Sequence, residues 1–512
     1  MATVPVLRLS AEVEQLRTIF AVTHPTVPPP ASRRTWLGLV VLTLPVILVS
    51  MDFSVLYLAM PTIARALHPS ATQELWILDV YGFLIAGLLI TMGNLGDRIG
   101  RRAILLTGAG VFGLASVTAA FAPSAGLLIA ARALMGVGGA TLMPASLSLI
   151  ANMFPRDAER ARAIGIWTAG FAGGAALGPV IGGLLLHHFW WGVVFLINVP
   201  VLALLFVAAP FVLPEFRVRA AHPFDLLGVA LSLLGLLPLV YAVKDAAAEG
   251  ISVRSTLLAG FGAVLLAAFL MQQRRARAPL VNLRLFASAT FSACIAIALV
   301  GMMAQGGMAY LTNVFLQSVQ RYDVLSAALA GLPMAVTIAA FSIGASRIAA
   351  RIGVRRALAY SLLLAAAGNL GILSLDVTSD LWIFLVLTAV TGIGYGIQFA
   401  LVTDVVIGSV PPEHSGAASG ISETSFELGT AMGLALLGSL ATAVFRSRGD
   451  GRFADSLGET LDRAGDLGPA GEQLALAARE AFVTGMHAAA AVGGVALILL
   501  SAVVAYVMRD RV

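Results

Sequence analysis

The sequence predicts an all-α integral membrane protein that crosses the bilayer fourteen times. Three observations carry this. The 512 residues are 59% hydrophobic and only 12% charged, with mean hydropathy +0.92. A soluble chain of this length needs far more charge to cover its surface. The apolar residues gather into runs of spanning length, about 20 residues each. Finally, 22 of the 32 Lys and Arg fall in segments of one parity between those runs, the asymmetry of a cytoplasmic face.

Residues 1–35 read as a cytoplasmic tail, because the Pro-rich THPTVPPPASRR precedes the first run. That run is too long, and lacks the small-residue cleavage site, of a removable signal peptide. The runs then fall near 36–60, 74–95, 103–121, 125–150, 163–186 and 190–212, followed by 225–243 and 254–271. The remainder fall near 289–316, 326–348, 356–375, 381–408, 417–445 and 484–508. An even count puts both termini on one side, and the arginine excess makes that side the cytoplasm of a cell membrane. Residues 446–482 form a long polar outer loop holding five of the nine outer basic residues, which weigh little because long loops translocate regardless of charge.

Laying the halves together exposes a repeat. A shift of 256 residues carries ARALMGVGGA (131–140) onto LTAVTGIGYG (387–396) and FPRDAERARA onto VPPEHSGAAS. With one insertion, GDRIGRRAIL (96–105) meets AARIGVRRAL (349–358). Two six-helix bundles, 36–212 and 288–512, are thereby expected. A linker at 213–287 carries two helices without counterparts, an inserted hairpin. Parallel six-helix repeats place a substrate cavity between the halves.

Several constellations depart from plain hydrophobicity. Asp52, Asp79 and Arg132 lie inside apolar runs at similar depth, where an unpaired charge costs on the order of 3 kcal/mol by insertion scales. They can partner one another and hold a proton in turn. Trp76 and Phe83 flank Asp79 at i−3 and i+4, on one helix face. Glu423 and Glu427 are one turn apart near mid-membrane, and two carboxylates so close in low dielectric resist joint ionisation. An approaching cation can take the place of their proton. Gly93, Asp97, Arg98, Gly100, Arg101 and Arg102 punctuate an inner-surface turn. Gly174, Gly178 and Gly182 make a smooth face for close packing. Pro179 then kinks that helix, and Gly183 relaxes it. Tyr57, Trp167, Tyr310, Phe399 and Phe426, with Trp76 and Phe83, are the candidate walls of an apolar cavity. Asp225 reads as a helix N-cap. Asp404, near the inner end of its run, reads equally as solvated or functional.

Other classes are excluded or disfavoured. The basic residues sit in short loops between spans, which is topology rather than nucleic-acid binding. A single cysteine, Cys294, rules out an intrachain disulfide and a Cys-based metal site, and the histidines have no metal spacing. No GxxxxGK[ST] occurs, so no cofactor or ATP is expected and energy must come from an ion gradient. Each pH unit supplies about 1.4 kcal/mol per proton.

GNLGDRIGRR is similar to the loop between the second and third helices of the major facilitator superfamily. MDFSVLYLAMP (51–61) resembles the first-helix signature of its 14-helix drug:proton antiporter branch, and ARALMGVGGA the fourth-helix Arg motif. GAALGPVIGG (174–183) resembles the fifth-helix antiporter motif. SETSFELG (422–429) resembles the acidic thirteenth-helix segment of exporters for quaternary ammonium compounds and dyes. The resemblance runs from about Trp36 to the end. It implies a major facilitator fold and a monomeric, non-enzymatic multidrug antiporter embedded in lipid, exchanging protons for lipophilic cations. It further implies proton coupling at Asp52, Asp79 and Arg132, cation or proton binding at Glu423 and Glu427, and a conformational charge lock at the 93–102 motif. Two departures stand out: Ala350 replaces Asp97 in the second-half loop, and Ser422 stands where some relatives carry another acid. The rival readings are a dedicated exporter of one metabolite or antibiotic, a receptor without transport, and a proton-symporting importer.

Overall fold

The computed structural model describes residues 29–217, 225–249, 252–276, 279–449, 451–454, 456–467 and 471–508. Most of the expected tail lies outside these residues. The helices, in order, are α1 (Arg33–Leu67), α2 (Ala71–Ile99), α3 (Arg101–Ala120), α4 (Ala125–Met153), α5 (Asp157–His188) and α6 (Val193–Val212). Next come α7 (Leu226–Glu249) and α8 (Val253–Arg275). The second half holds α9 (Ala289–Val319), α10 (Leu325–Ile352), α11 (Val354–Ser374), α12 (Leu381–Gly408), α13 (Ser415–Arg448) and α14 (Gly471–Val507).

Thirteen of these, among the described residues, are long and apolar enough to cross a membrane. The apolar part of α7, Leu226–Ala242, is slightly shorter. The loop expected at 446–482 is mostly helical. α13 continues to Arg448, a short helix spans Leu457–Asp466, and α14 begins at Gly471, ahead of the apolar run. The reason is amphipathicity: Leu457, Thr460 and Ala464 bury one side of the short helix while Glu459 and Arg463 pair on the other at 2.6 Å.

Local chemistry sets the boundaries. Ser32 caps α1 by accepting from Thr35 N at 3.1 Å, and Ser70 with Gln73 forms a capping box on α2. Asp323 caps the start of α10 by accepting from Ser326 N at 2.9 Å and Ser326 Oγ at 2.8 Å, which holds its carboxyl below the usual range. Between α2 and α3 the chain turns on Gly100 at φ +116°, and Gly353 makes the matching turn between α10 and α11 at φ +85°.

Packing obeys the repeat. α1 lies on α5 as α9 lies on α13, and α4 packs on α2 and α3 as α12 packs on α10 and α11. The two halves meet along α2–α13 and α5–α10, two contacts that the same half-to-half exchange interconverts. The hairpin pairs α7 with α8 and leans α7 on α2 and α13. Gly174 and Gly178 seat α5 against α1, where an added Cβ would fall 2.1 Å from Ser50 Oγ and 1.9 Å from Ser54 Oγ. Gly182 continues the face against Val55, and Gly183 has Leu58 as its neighbour. The helix runs unbroken through Pro179.

Candidate functional site

One end of the bundle carries the 93–102 motif, and there the halves are sealed. Asp97 accepts Arg101 Nε at 3.0 Å and Nη2 at 2.8 Å, and also Ala417 N of α13 at 3.3 Å. Arg101, 1% exposed, also donates to Ser148 O at 3.2 Å and to Pro412 O of the second half at 2.5 Å. Ser148 and Ser415 share a 2.8 Å hydrogen bond. Gly93 and Gly416 let α2 and α13 touch backbone to backbone; a Cβ on Gly93 would lie 2.2 Å from Gly416 O. Arg102 is placed differently: with its backbone N and guanidinium it grips Glu215 and Leu213 beyond α6, within its own half. The Arg98 carbonyl accepts from Arg217 Nε at 3.0 Å.

A second bridge at this end was not legible in the sequence. Arg160, in the first turns of α5, donates to Asp404 of α12 at 3.0 Å and to Asp157 at 2.9 Å. Asp404 is therefore a half-to-half ligand rather than a solvated end. Nothing in linear order joins residues 244 apart.

Away from the sealed end, a cavity of about 510 Å³ lies between the halves. Trp167, Phe171 and Pro179 line it from α5, Met302 and Gln305 from α9, Phe399 from α12, and Glu423, Phe426 and Glu427 from α13. It extends past Thr312, Asn313 and Leu316 toward the end opposite the seal. Phe399 stacks on Tyr395 at 5.6 Å and meets Phe426 edge-on at 5.6 Å. Glu423 is 3% exposed and its Oε1 has no hydrogen-bond partner, whereas Glu427 is half-buried. Gln305 Oε1 and Thr168 Oγ1 are also without partners on the cavity wall. The one sequence signal for Gln305 is an isolated amide in an apolar run.

Asp52 and Arg132 form a buried ion pair behind the wall, with side chains 4% and 0% exposed. Arg132 also donates to Ile77 O at 3.2 Å and lies over the Tyr81 ring, 4.5 Å from its centroid. Asp79 was expected to share this cluster. Instead Ile77 and Tyr81 turn their face of α2 to Arg132, while the face carrying Trp76, Asp79 and Phe83 turns to α7. Trp76 and Phe83 each lie 6.1 Å from Tyr241 of α7, and neither lines the cavity. Tyr310 is 51% exposed on the outside of the bundle and is likewise not a cavity wall. The side chain of Tyr57 lies outside the described residues. Asp225 caps α7 at Gly228 N, 2.8 Å away, and also accepts from Gln272 and Gln273 of α8. Among the described residues no cluster of three or more metal-ligating side chains occurs.

Residues 42–434 match the family profile of the Major Facilitator Superfamily. The chain is 40% identical over 491 residues to the multidrug efflux pump LfrA of Mycolicibacterium smegmatis, covering 93% of this chain and 97% of that protein. It is 33% identical over 482 residues to the methyl viologen resistance protein SmvA of Salmonella typhimurium, covering 91% and 97%. Among solved structures, the human organic anion transporter MFSD10 aligns over 92% of this chain and 100% of its own, with TM-score 0.61 and 15% identity. A bacterial homolog of the human lysosomal transporter Spinster, inward-facing and unoccupied, aligns over 94% and 100% with TM-score 0.57 and 17% identity. At these identities the two structures speak for the fold.

Proposed function

The chain belongs to the Major Facilitator Superfamily, a membrane transporter rather than an enzyme, and from that premise we propose that it is a proton-coupled multidrug exporter of lipophilic cations. It works by alternating access as a monomer in the cell membrane, with both termini and the Arg-rich sealed end in the cytoplasm. The observation that carries this reading is the cavity: aromatic and methionine walls drawn from both halves, with two carboxylates one helical turn apart. Such a wall accepts many shapes, because Met and aromatic side chains repack at little cost and aromatic faces attract cations. The carboxylates supply the charge that an apolar wall lacks. The names of LfrA and SmvA as efflux and resistance proteins support export of toxic compounds.

In the cycle we propose, cation and proton compete for the same acids. Protons entering from outside neutralise Glu427 and Glu423 and release the cation outward. The seal at Asp97, Arg101, Ser148 and Ser415 then opens to the cytoplasm, and a new cation displaces the proton. The Asp52–Arg132 pair belongs to the coupling machinery, since ionisable residues inside a span are costly to keep and mark ion and proton pathways. Asp79, on the α7 side of α2, joins the coupling only at a distance. No cofactor takes part; the proton gradient is the energy source.

Ethidium efflux from energised cells expressing the protein tests the reading. Efflux should be uphill, collapse on adding a protonophore, and be lost in Asp52→Asn. Uphill efflux that survives the protonophore would exclude proton coupling.

A further inference from the structure

The buried Asp52–Arg132 pair does not line the cavity, so its charge state needs a physical link to the acids that do. Tyr81 of α2 packs directly on the pair, its ring under the Arg132 guanidinium. Its ring is wedged against Phe53 at 4.8 Å and Phe112 at 6.2 Å, with the Arg132 guanidinium across its face. The ring is fully buried, yet its hydroxyl has no hydrogen-bond partner. A buried hydroxyl without a partner is costly and calls for an explanation. Arg132 Nη2, on the same guanidinium, is a second buried polar atom without one.

Depth places the hydroxyl. At about 1.5 Å per residue, Arg132 lies roughly 31 Å from the sealed end of α4, and Asp52 roughly 28 Å from the sealed end of α1. The Tyr81 hydroxyl points back toward the seal: a Cβ on Gly139 would lie 3.4 Å from Tyr81 Oη, and Gly139 is only roughly 21 Å from that end. Across the half-to-half boundary, Ser415 of α13 is level with Ser148 of α4; above that common level Glu427 stands roughly 18 Å up, between Gly139 at roughly 14 Å and Arg132 at roughly 24 Å. The ring therefore spans the step in height between the ion pair and the cavity acid. Tyr81 is also within electrostatic reach of Asp52, Arg132 and Glu427, which lie on three different helices.

Building on the proton-coupled reading, we propose that the Tyr81 hydroxyl is the proton relay between Glu427 in the cavity and the buried Asp52–Arg132 pair. In the transfer, Tyr81 Oη accepts the proton of the Glu427 carboxyl while its own O–H proton passes to the Asp52 carboxylate. A water bonded to Tyr81 Oη and Arg132 Nη2 bridges the last step, its two partners supplied by the two orphan atoms. The O–H bond of Glu427 breaks, one on Asp52 forms, and the phenol ends unchanged. Glu427 is left as a carboxylate, ready for a cation, and Arg132 loses its counter-charge. Substrate loading and the state of the first-half pair become one event.

The test is Tyr81→Phe in proteoliposomes, with ethidium as the probe and the wild type alongside. The ring is kept, so its contacts with Phe53, Phe112 and Arg132 are kept. Uptake driven by an imposed pH difference should fall at least tenfold. Equilibrium ethidium binding, and ethidium–ethidium exchange, which needs no proton step, should stay within threefold of wild type. Incorporating 3-fluorotyrosine in place of Tyr81, which retains an O–H, should restore the driven rate. Wild-type driven uptake in Tyr81→Phe overturns the relay. So does a parallel loss of binding and exchange, which would make the hydroxyl structural. If the wild type itself shows no uptake driven by the pH difference, proton coupling fails first, and the relay with it.

Discussion

Arg160 and Asp404, on helices of opposite halves, meet at 3.0 Å with side chains only 15% and 16% exposed. The pair joins the halves at the same end as the Asp97–Ala417 and Ser148–Ser415 bonds, so the sealed end is held by charge as well as by backbone contact. Breaking one partner of a largely buried pair leaves the other charge uncompensated.

For Asp404→Asn the expected loss is about 2 kcal/mol of closed-state stability, a reduced share of the cost of breaking a fully buried pair. That is about a thirtyfold shift toward opening of this end. Ser415→Cys reports it, because Ser415 is 1% exposed and the native Cys294 is buried. Maleimide labelling of the introduced thiol should accelerate at least fivefold in the Asp404→Asn background. An unchanged rate would remove the pair from the seal.

Ser148 and Ser415 offer a direct lock. Their hydroxyls are 2.8 Å apart, close enough for paired cysteines to form a disulfide with modest adjustment. Ser148→Cys with Ser415→Cys should lose transport under oxidant and regain it on reduction. Full transport with both thiols oxidised contradicts a seal that must open.

Asp97→Asn keeps side-chain shape but removes the charge that Arg101 and Ala417 N converge on. Because the residue is at the sealed end and not on the cavity wall, turnover should fall about tenfold with little change in ethidium affinity. A large loss of equilibrium binding with normal turnover would argue against a conformational role.

Glu427→Gln tests charge recognition in the cavity. At an effective dielectric of about 20, a charge pair about 4 Å apart is worth about 4 kcal/mol before desolvation. Even a quarter of that is roughly a fivefold loss of affinity. Resistance to ethidium and quaternary ammonium compounds should drop while neutral lipophilic compounds are spared. Equal losses would assign Glu427 to the proton or to the fold.

Gly178→Leu should cost the folded protein. A side chain there collides with Ser54 Oγ at the α1–α5 contact, 1.9 Å from its Cβ, and meets the Met51 carbonyl at 3.1 Å. Overpacking of this kind costs about 1–3 kcal/mol and more where helices cannot separate. Yield of monodisperse protein in detergent is the readout; normal yield and melting temperature would show that α1 and α5 slide apart freely.

The sequence by itself determined what depends on short range and on solvent. Apolar runs must become helices in lipid because backbone groups find no other partners there, and the fourteen runs did so. The repeat was legible because a shift in residue number survives folding, and Gly100 and Gly353 make matching turns with positive φ. The i,i+4 spacing of Glu423 and Glu427 put both on one face, and both reached the cavity. Tertiary structure decided everything that depends on which face meets which helix. Spacing alone set Trp76, Asp79 and Phe83 on one side of α2, but α7, far along the chain, chose that side for Tyr241 and turned Ile77 and Tyr81 to Arg132. Depth counting brought Asp52, Asp79 and Arg132 to one level; it carried no angle, and angle selects Asp52 as the partner. The Arg160–Asp404 bridge needed the two halves folded against each other, because it joins residues 244 positions apart, and the Tyr81 position needed α1, α3 and α4 packed around α2 within the first half.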